Sequence, residues 1–177
     1  MPALRCASRY GSTHRRSTTH FPDHVAECCA RHGADAQSVV LRLRTADVAA
    51  PNTAVLESLA RLRLRKFELA LDDFGSGDLS LLRLDELGLA ALRVSPAALE
   101  RARNGTSEAR ALEACAAVAS VMRMRALIGG VASEADWALA RNAGYALGDG
   151  PAFSAPRAAD DFAAWLPSGQ QELARRR

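Results

Sequence analysis

Short apolar runs in strict alternation with amphipathic stretches constrain this chain more than any single residue does. Val39 to Leu43, Phe67 to Leu71, Leu89 to Val94, Arg125 to Ile128 and Tyr145 to Leu147 have the length and composition of strands. Between them, Pro51 to Leu62, Leu79 to Leu87, Ser107 to Met124 and Ser133 to Ala143 repeat their apolar residues at helical spacing, and Ala158 to Leu166 closes the pattern. Val55, Leu56, Leu59 and Leu62 fall on one helical face. Ser133 and Asp136 have the spacing of an N-cap and its N3 partner, which fixes the start of that helix. Such alternation predicts an α/β protein with a parallel sheet and crossover helices. Periodicity leaves an open doubly wound sheet and a closed barrel both standing. No GxGxxG or Walker-type loop is present, which argues against a dinucleotide or P-loop fold.

The 177 residues suffice for one domain with a real core, and no Pro- or Gly-rich linker divides them. Hydrophobic residues make up 49% and charged residues 24%, the balance of an ordinary globular protein. No apolar run approaches the ~18 residues of a membrane span, and the N-terminus lacks the apolar core of a signal peptide. Cytoplasm is therefore the expected location, and Cys6, Cys28, Cys29 and Cys115 are expected to be reduced thiols. The net charge of +3 comes almost wholly from arginine, because Lys66 is the one lysine among 23 basic residues. With aromatics at 5% and the arginine-rich stretches near the termini, nothing suggests a stacking, basic nucleic-acid face. Gln170 to Arg177 reads as a solvated or disordered basic tail. His20, His24, Cys28 and His32 recur every four residues, but one straight helix cannot wrap four ligands around one ion, so the stripe is read as accidental.

The chemistry concentrates at Leu69-Ala70-Leu71-Asp72-Asp73-Phe74-Gly75-Ser76-Gly77. A buried-strand run ends there in two adjacent carboxylates, followed by a Gly-Ser-Gly turn and a helical pattern. Paired carboxylates at the C-terminal end of a strand suit divalent-cation binding, and the glycine turn suits either a phosphate contact or a plain turn.

This stretch resembles the DDFGTG segment of EAL domains, the cyclic di-GMP phosphodiesterases. Further segments match in order: ALIGGVASEADWALARNAGYALGDGPAFSAP is similar to the family's AEGVET…LGCDYGQGYFFSRP stretch, AALRVSPAAL to LKIDRSFV, VVLRLRTAD to LEITE, and CAS at Cys6 to Ser8 to NVS. The resemblance covers roughly Leu4 to Leu166, with 1–20 weakly matched, 21–166 as the degenerate EAL-like domain and 167–177 as a basic tail. It implies a TIM-type (β/α) barrel, here a partial one of about six of the eight β/α units. The family's first strands, with the Glu-Ala-Leu signature, have no counterpart, so the chain is expected to be an N-terminally truncated member with unpaired strand edges.

The resemblance also implies a two-metal hydrolase site using Mg2+ or Mn2+, and most of its parts are replaced. The metal-binding Asn of NVS falls on Cys6, the Glu of LEITE on Arg42, the two Glu of AEGVE on Gly129 and Ala132, and the Gln of QGY on Asp149. The Lys and Asp of LKID fall on Arg93 and Ser95, and a helix-ending Gly falls on Lys66, which is expected to remove a helix C-cap. Asp72 and Asp73 remain as a residual, weak metal pair. Arg93 and Asp149 are candidate ligand-binding residues, while Arg93 paired with Asp72 or Asp149, and Arg42 facing Asp72 and Asp73, would fill the site with ion pairs. No catalytic residue and no cofactor is expected, with Mg2+ or Mn2+ relevant if activity remains. The expectation is a non-catalytic binding or protein-interaction module linked to cyclic di-GMP signalling, with cyclic di-GMP and another protein as candidate partners, no nucleic acid and no membrane. Two alternatives stand beside it: a phosphodiesterase whose missing strands and ligands come from another chain, and a gene remnant without a stable fold.

Overall fold

The computed structural model describes residues 20–48, 53–75 and 79–175. In chain order it contains α1 (Phe21–Arg31), a 3-10 turn (Ala36–Ser38), β1 (Val40–Arg44), α2 (Thr45–Val48), α3 (Thr53–Leu64), β2 (Glu68–Phe74) and α4 (Leu81–Leu87). There follow β3 (Ala91–Val94), α5 (Pro96–Ala102), α6 (Thr106–Val121), β4 (Arg125–Gly129), α7 (Glu134–Asn142), β5 (Leu147–Asp149) and α8 (Ala159–Arg175). The five strands described form one parallel sheet in sequential order, β1-β2-β3-β4-β5. A sequential order has no point at which the winding reverses, so it is a barrel sector rather than a doubly wound sheet.

The curl of that sector follows from one contact. Four strand spacings of about 4.8 Å would put β1 and β5 roughly 19 Å apart in a flat sheet, beyond the combined reach of an arginine and an aspartate side chain. Arg42 of β1 nevertheless lies 3.6 Å from Asp149 of β5. The sheet must bend until its two outer strands face one another across the concave side.

Burial explains why the strands read as short continuous apolar runs. All four residues of β3 are buried, as are Leu69, Ala70, Leu71 and Asp72 of β2, because a parallel sheet covered by helices has no solvated face. Leu59 and Leu62 of α3, Leu84 and Leu87 of α4, Leu99 of α5 and Leu112 of α6 complete the core with Leu71, Leu92, Val94 and Ile128. Tyr145 is buried with them and donates its hydroxyl to the Leu112 carbonyl at 3.0 Å. Outside the core, Asp23 of α1 pairs with Arg61 of α3 at 2.6 Å and with Arg65.

Element boundaries follow local chemistry. The Ser133–Asp136 capping box is present as the spacing predicts. α5 escapes the periodicity reading, although Ser95 caps it and Pro96 occupies its first turn, an N-terminal signature legible in the sequence. β5 is displaced by two residues from Tyr145–Leu147, because Gly144 turns the chain at φ 96° and Tyr145 enters the core before the strand begins. α8 continues as helix to Arg175 rather than ending at Leu166. The sixth expected unit, with Cys6, and the Ser76-Gly77 part of the glycine turn lie outside the described residues.

Lys66 corrects a further expectation. The C-terminal turn of α3 is retained, with the Lys66 N–H bonded to Arg63 O at 2.8 Å and the Phe67 N–H to Leu62 O at 3.1 Å. These are the bonds of a Schellman ending, and they hold Lys66 at φ 66° despite its Cβ. Relief of that steric cost exceeds the extra unfolded-state freedom of glycine, so Lys66→Gly is expected to raise stability by about 0.5 to 1 kcal/mol in urea denaturation.

Candidate functional site at the strand ends

The carboxylate pair sits in a β-bulge. Leu71 pairs with Leu92 and Phe74 with Val94, so two residues, Asp72 and Asp73, stand opposite Arg93 alone. Asp73 absorbs the extra length with a left-handed backbone at φ 59°, a conformation that aspartate tolerates better than most residues. Its N–H donates to Asp72 Oδ1 at 3.1 Å. The Thr45 hydroxyl, at the start of α2, donates to the Asp72 carbonyl at 2.9 Å and fixes β1 to the bulge.

The bulge delivers Asp72 to Arg93. Arg93 Nη1 donates to Asp72 Oδ1 at 2.7 Å, and both side chains are almost fully buried, at 5% and 7% exposure. The other edge of the same guanidinium forms a two-point contact with Asp149, Nε to Oδ2 at 2.6 Å and Nη2 to Oδ1 at 2.7 Å. One arginine on β3 therefore ties the end of β2 to the end of β5. Arg42, whose Nη1 is 3.6 Å from Asp149 Oδ2, adds a second positive charge, and its buried Nε has no hydrogen-bond partner. This revises the expectation for Arg42, which meets Asp149 rather than the Asp72–Asp73 pair. Long-range curl brings those positions together, and strand order alone does not reveal it.

Gly129 gives the guanidinium its place. A Cβ there would stand 2.3 Å from Arg93 Nη2 and 2.5 Å from Cζ. Those atoms are the far end of a flexible side chain, yet three hydrogen bonds to two carboxylates hold them in position. Gly129 appears in the sequence as a lost carboxylate; its steric role emerges only from the fold.

Charge states follow from the pairing. Burial pushes the Asp149 carboxyl up, but the Arg93 hydrogen bond and charge, Arg42 and the Gly130 N–H together hold it below the usual carboxylate range. The hydrogen bonds that Arg93 donates to Asp149 outweigh burial and keep Arg93 protonated well above the usual arginine range. A second clasp lies beside the site: Arg103 Nε and Nη2 bind Asp136 at 2.6 and 2.8 Å, and Asp136 also accepts the Ala132 and Ser133 N–H groups. Burial pushes the Asp136 carboxyl up, and these bonds more than reverse it. His24 Nε2 lies 3.7 Å from Cys28 Sγ, and among the described residues no three His, Cys, Asp or Glu side chains cluster as metal ligands.

The family model described as the EAL domain matches residues 11–156. Among curated proteins, the uncharacterized protein Rv1354c of Mycobacterium tuberculosis is 28% identical over 118 residues, which cover 67% of this chain and 19% of that protein. The chain thus spans about a fifth of the length of that relative. The PaMucR phosphodiesterase solved with cyclic di-GMP matches with a TM-score of 0.78 at 21% identity, covering 82% of this chain and 59% of that one. The manganese and cyclic di-GMP complex of Klebsiella pneumoniae BlrP1 matches with a TM-score of 0.69 at 19% identity, covering 76% and 35%. At these identities the structural matches establish the barrel-like fold.

Removing Asp149 leaves Arg93 its bond to Asp72, and Asp149 is 44% exposed, so Asp149→Asn is expected to cost only about 1 kcal/mol. Asp72→Asn breaks a buried pair and is expected to cost roughly 2 to 4 kcal/mol by urea denaturation. Asp149 and Asp136 have lowered pKa values, so on acidification the unfolded chain takes up protons first. Their stabilisation is complete above the ordinary carboxylate pKa of about 4 and is lost as pH falls through the lower folded values. Stability measured from pH 6 to pH 2 is expected to drop below about pH 4, less steeply in Asp149→Asn.

Proposed function

The chain belongs to the EAL domain family, and from that premise we propose that it is a non-catalytic module linked to cyclic di-GMP signalling, acting by binding rather than by hydrolysis. The observation that carries this reading is the commitment of Asp72 and Asp149 to a buried guanidinium. Metal-assisted phosphodiester cleavage requires oxygen ligands free to enter a near-octahedral shell around each ion. Here Asp72 Oδ1 and both carboxylate oxygens of Asp149 already accept short charge-assisted bonds, and Arg42 supplies a second cation beside Asp149. The residues present do not fit a pair of divalent ions.

What remains suits recognition. Asp149 is the member of the clasp still open to solvent, so a ligand approaching the concave face meets it and the Arg93 edge behind it. The fold is that of relatives solved with cyclic di-GMP, which makes the intact dinucleotide the first ligand to test. A protein partner is the companion candidate. No helix among the described residues is long and apolar enough to cross a membrane.

Incubation with cyclic di-GMP and either Mg2+ or Mn2+ is expected to give no linear product. Sustained turnover that Asp72→Ala abolishes would overturn the proposal. Titration calorimetry with cyclic di-GMP then separates a nucleotide receptor, which releases heat at a saturable site, from a module that works through a protein partner.

A further inference from the structure

We infer that Arg93 and Gly129 together replace a divalent cation, so that the strand-end clasp is a latent metal site held shut by the chain's own arginine. Carboxylates from two distant strands converge only if something positive lies between them. A metal ion would do this through oxygen coordination; the planar guanidinium does it through three hydrogen bonds of 2.6 to 2.7 Å, one to Asp72 and two to Asp149. The space for it exists because residue 129 has no side chain, since any Cβ would stand within 2.5 Å of the guanidinium carbon. Two substitutions thus form one device: an added cation, and the clearance that admits it. Arg42 reinforces it from β1, at 3.6 Å from the same Asp149. An incoming ion would meet two fixed guanidinium charges within a few ångströms, and its carboxylate ligands would first have to leave short bonds.

The device makes the fold's strand-end closure independent of metal wherever the arginine and its carboxylate partners are both charged. It also implies that deleting one positive charge exposes a cation site. The same site carries both this inference and the proposed function, and they fail separately: turnover overturns the function, tight manganese binding by the unaltered chain overturns the inference.

The test uses the whole chain with MnCl2 as the probe, read by electron paramagnetic resonance of free Mn2+ and by thermal melting. The unaltered chain is expected to leave Mn2+ free and to melt at the same temperature with and without it. Arg93→Ala is expected to melt lower without metal, to recover on adding Mn2+, and to bind it at least about tenfold tighter than the unaltered chain, as deletion of a unit charge beside the ion requires. Adding Asp149→Asn to that variant should remove the gain. Where Arg93→Ala does not fold, Arg93→Gln keeps part of the volume without the charge and must show the same gain. A rise in melting temperature of the unaltered chain with Mn2+, or no gain in a folded Arg93 variant, overturns the inference.

Discussion

A single guanidinium, buried between three strands, is the constraint on which the site depends. Arg93 rises from the centre of the described sheet with both edges engaged, one to Asp72 and the other to Asp149. An unpaired buried arginine or aspartate would cost several kcal/mol, so Arg93 and its two partners hold one another in place. The sheet's curl supplies the proximity, and the bulge at Asp72–Asp73 supplies the aim. Parallel strands with helices outside leave no other route for these charges to meet, because every other neighbour in β3 and most in β2 is apolar.

A similar arrangement recurs at the opposite end of the strands. Glu68, where β2 begins, pairs with Arg125, where β4 begins, again spanning the strand between them. That pair is partly exposed and contributes little beyond alignment. The strand-end clasp differs in kind: Arg93 and Asp72 have almost wholly left water while Asp149 stays partly exposed, so at the Arg93–Asp72 bond geometry rather than screening decides the strength. Around it, Arg103 and Asp136 fasten the end of α5 to the first turn of α7, where the capping box already fixes the helix start. The mouth of the barrel sector is therefore built from arginine–carboxylate pairs.

Much of this was legible in the sequence. Apolar runs located the five described strands within three residues at either end, because parallel strands buried on both faces cannot hide their composition. The capping box was read correctly from Ser133 and Asp136, and the pairing of Arg93 with acidic neighbours followed from their place at strand ends. Other features were not read, and three of them show why. α5 is too short for periodicity and shows itself only in Ser95-Pro96. The retained turn at Lys66 depends on backbone hydrogen bonds that outweigh a residue's intrinsic preference. The approach of Arg42 to Asp149 depends on curvature accumulated over five strands, a property of no local segment.

The absent side chain at position 129 binds it to position 93. With Arg93 in place, any side chain at 129 would drive a Cβ into a pinned guanidinium; with a shorter residue at 93, the empty space would leave Asp72 without that partner. Neither single replacement is neutral, so the two positions change without loss only together. Residues far apart along the chain thereby behave as one unit, and a tolerance measured at either of them alone describes neither.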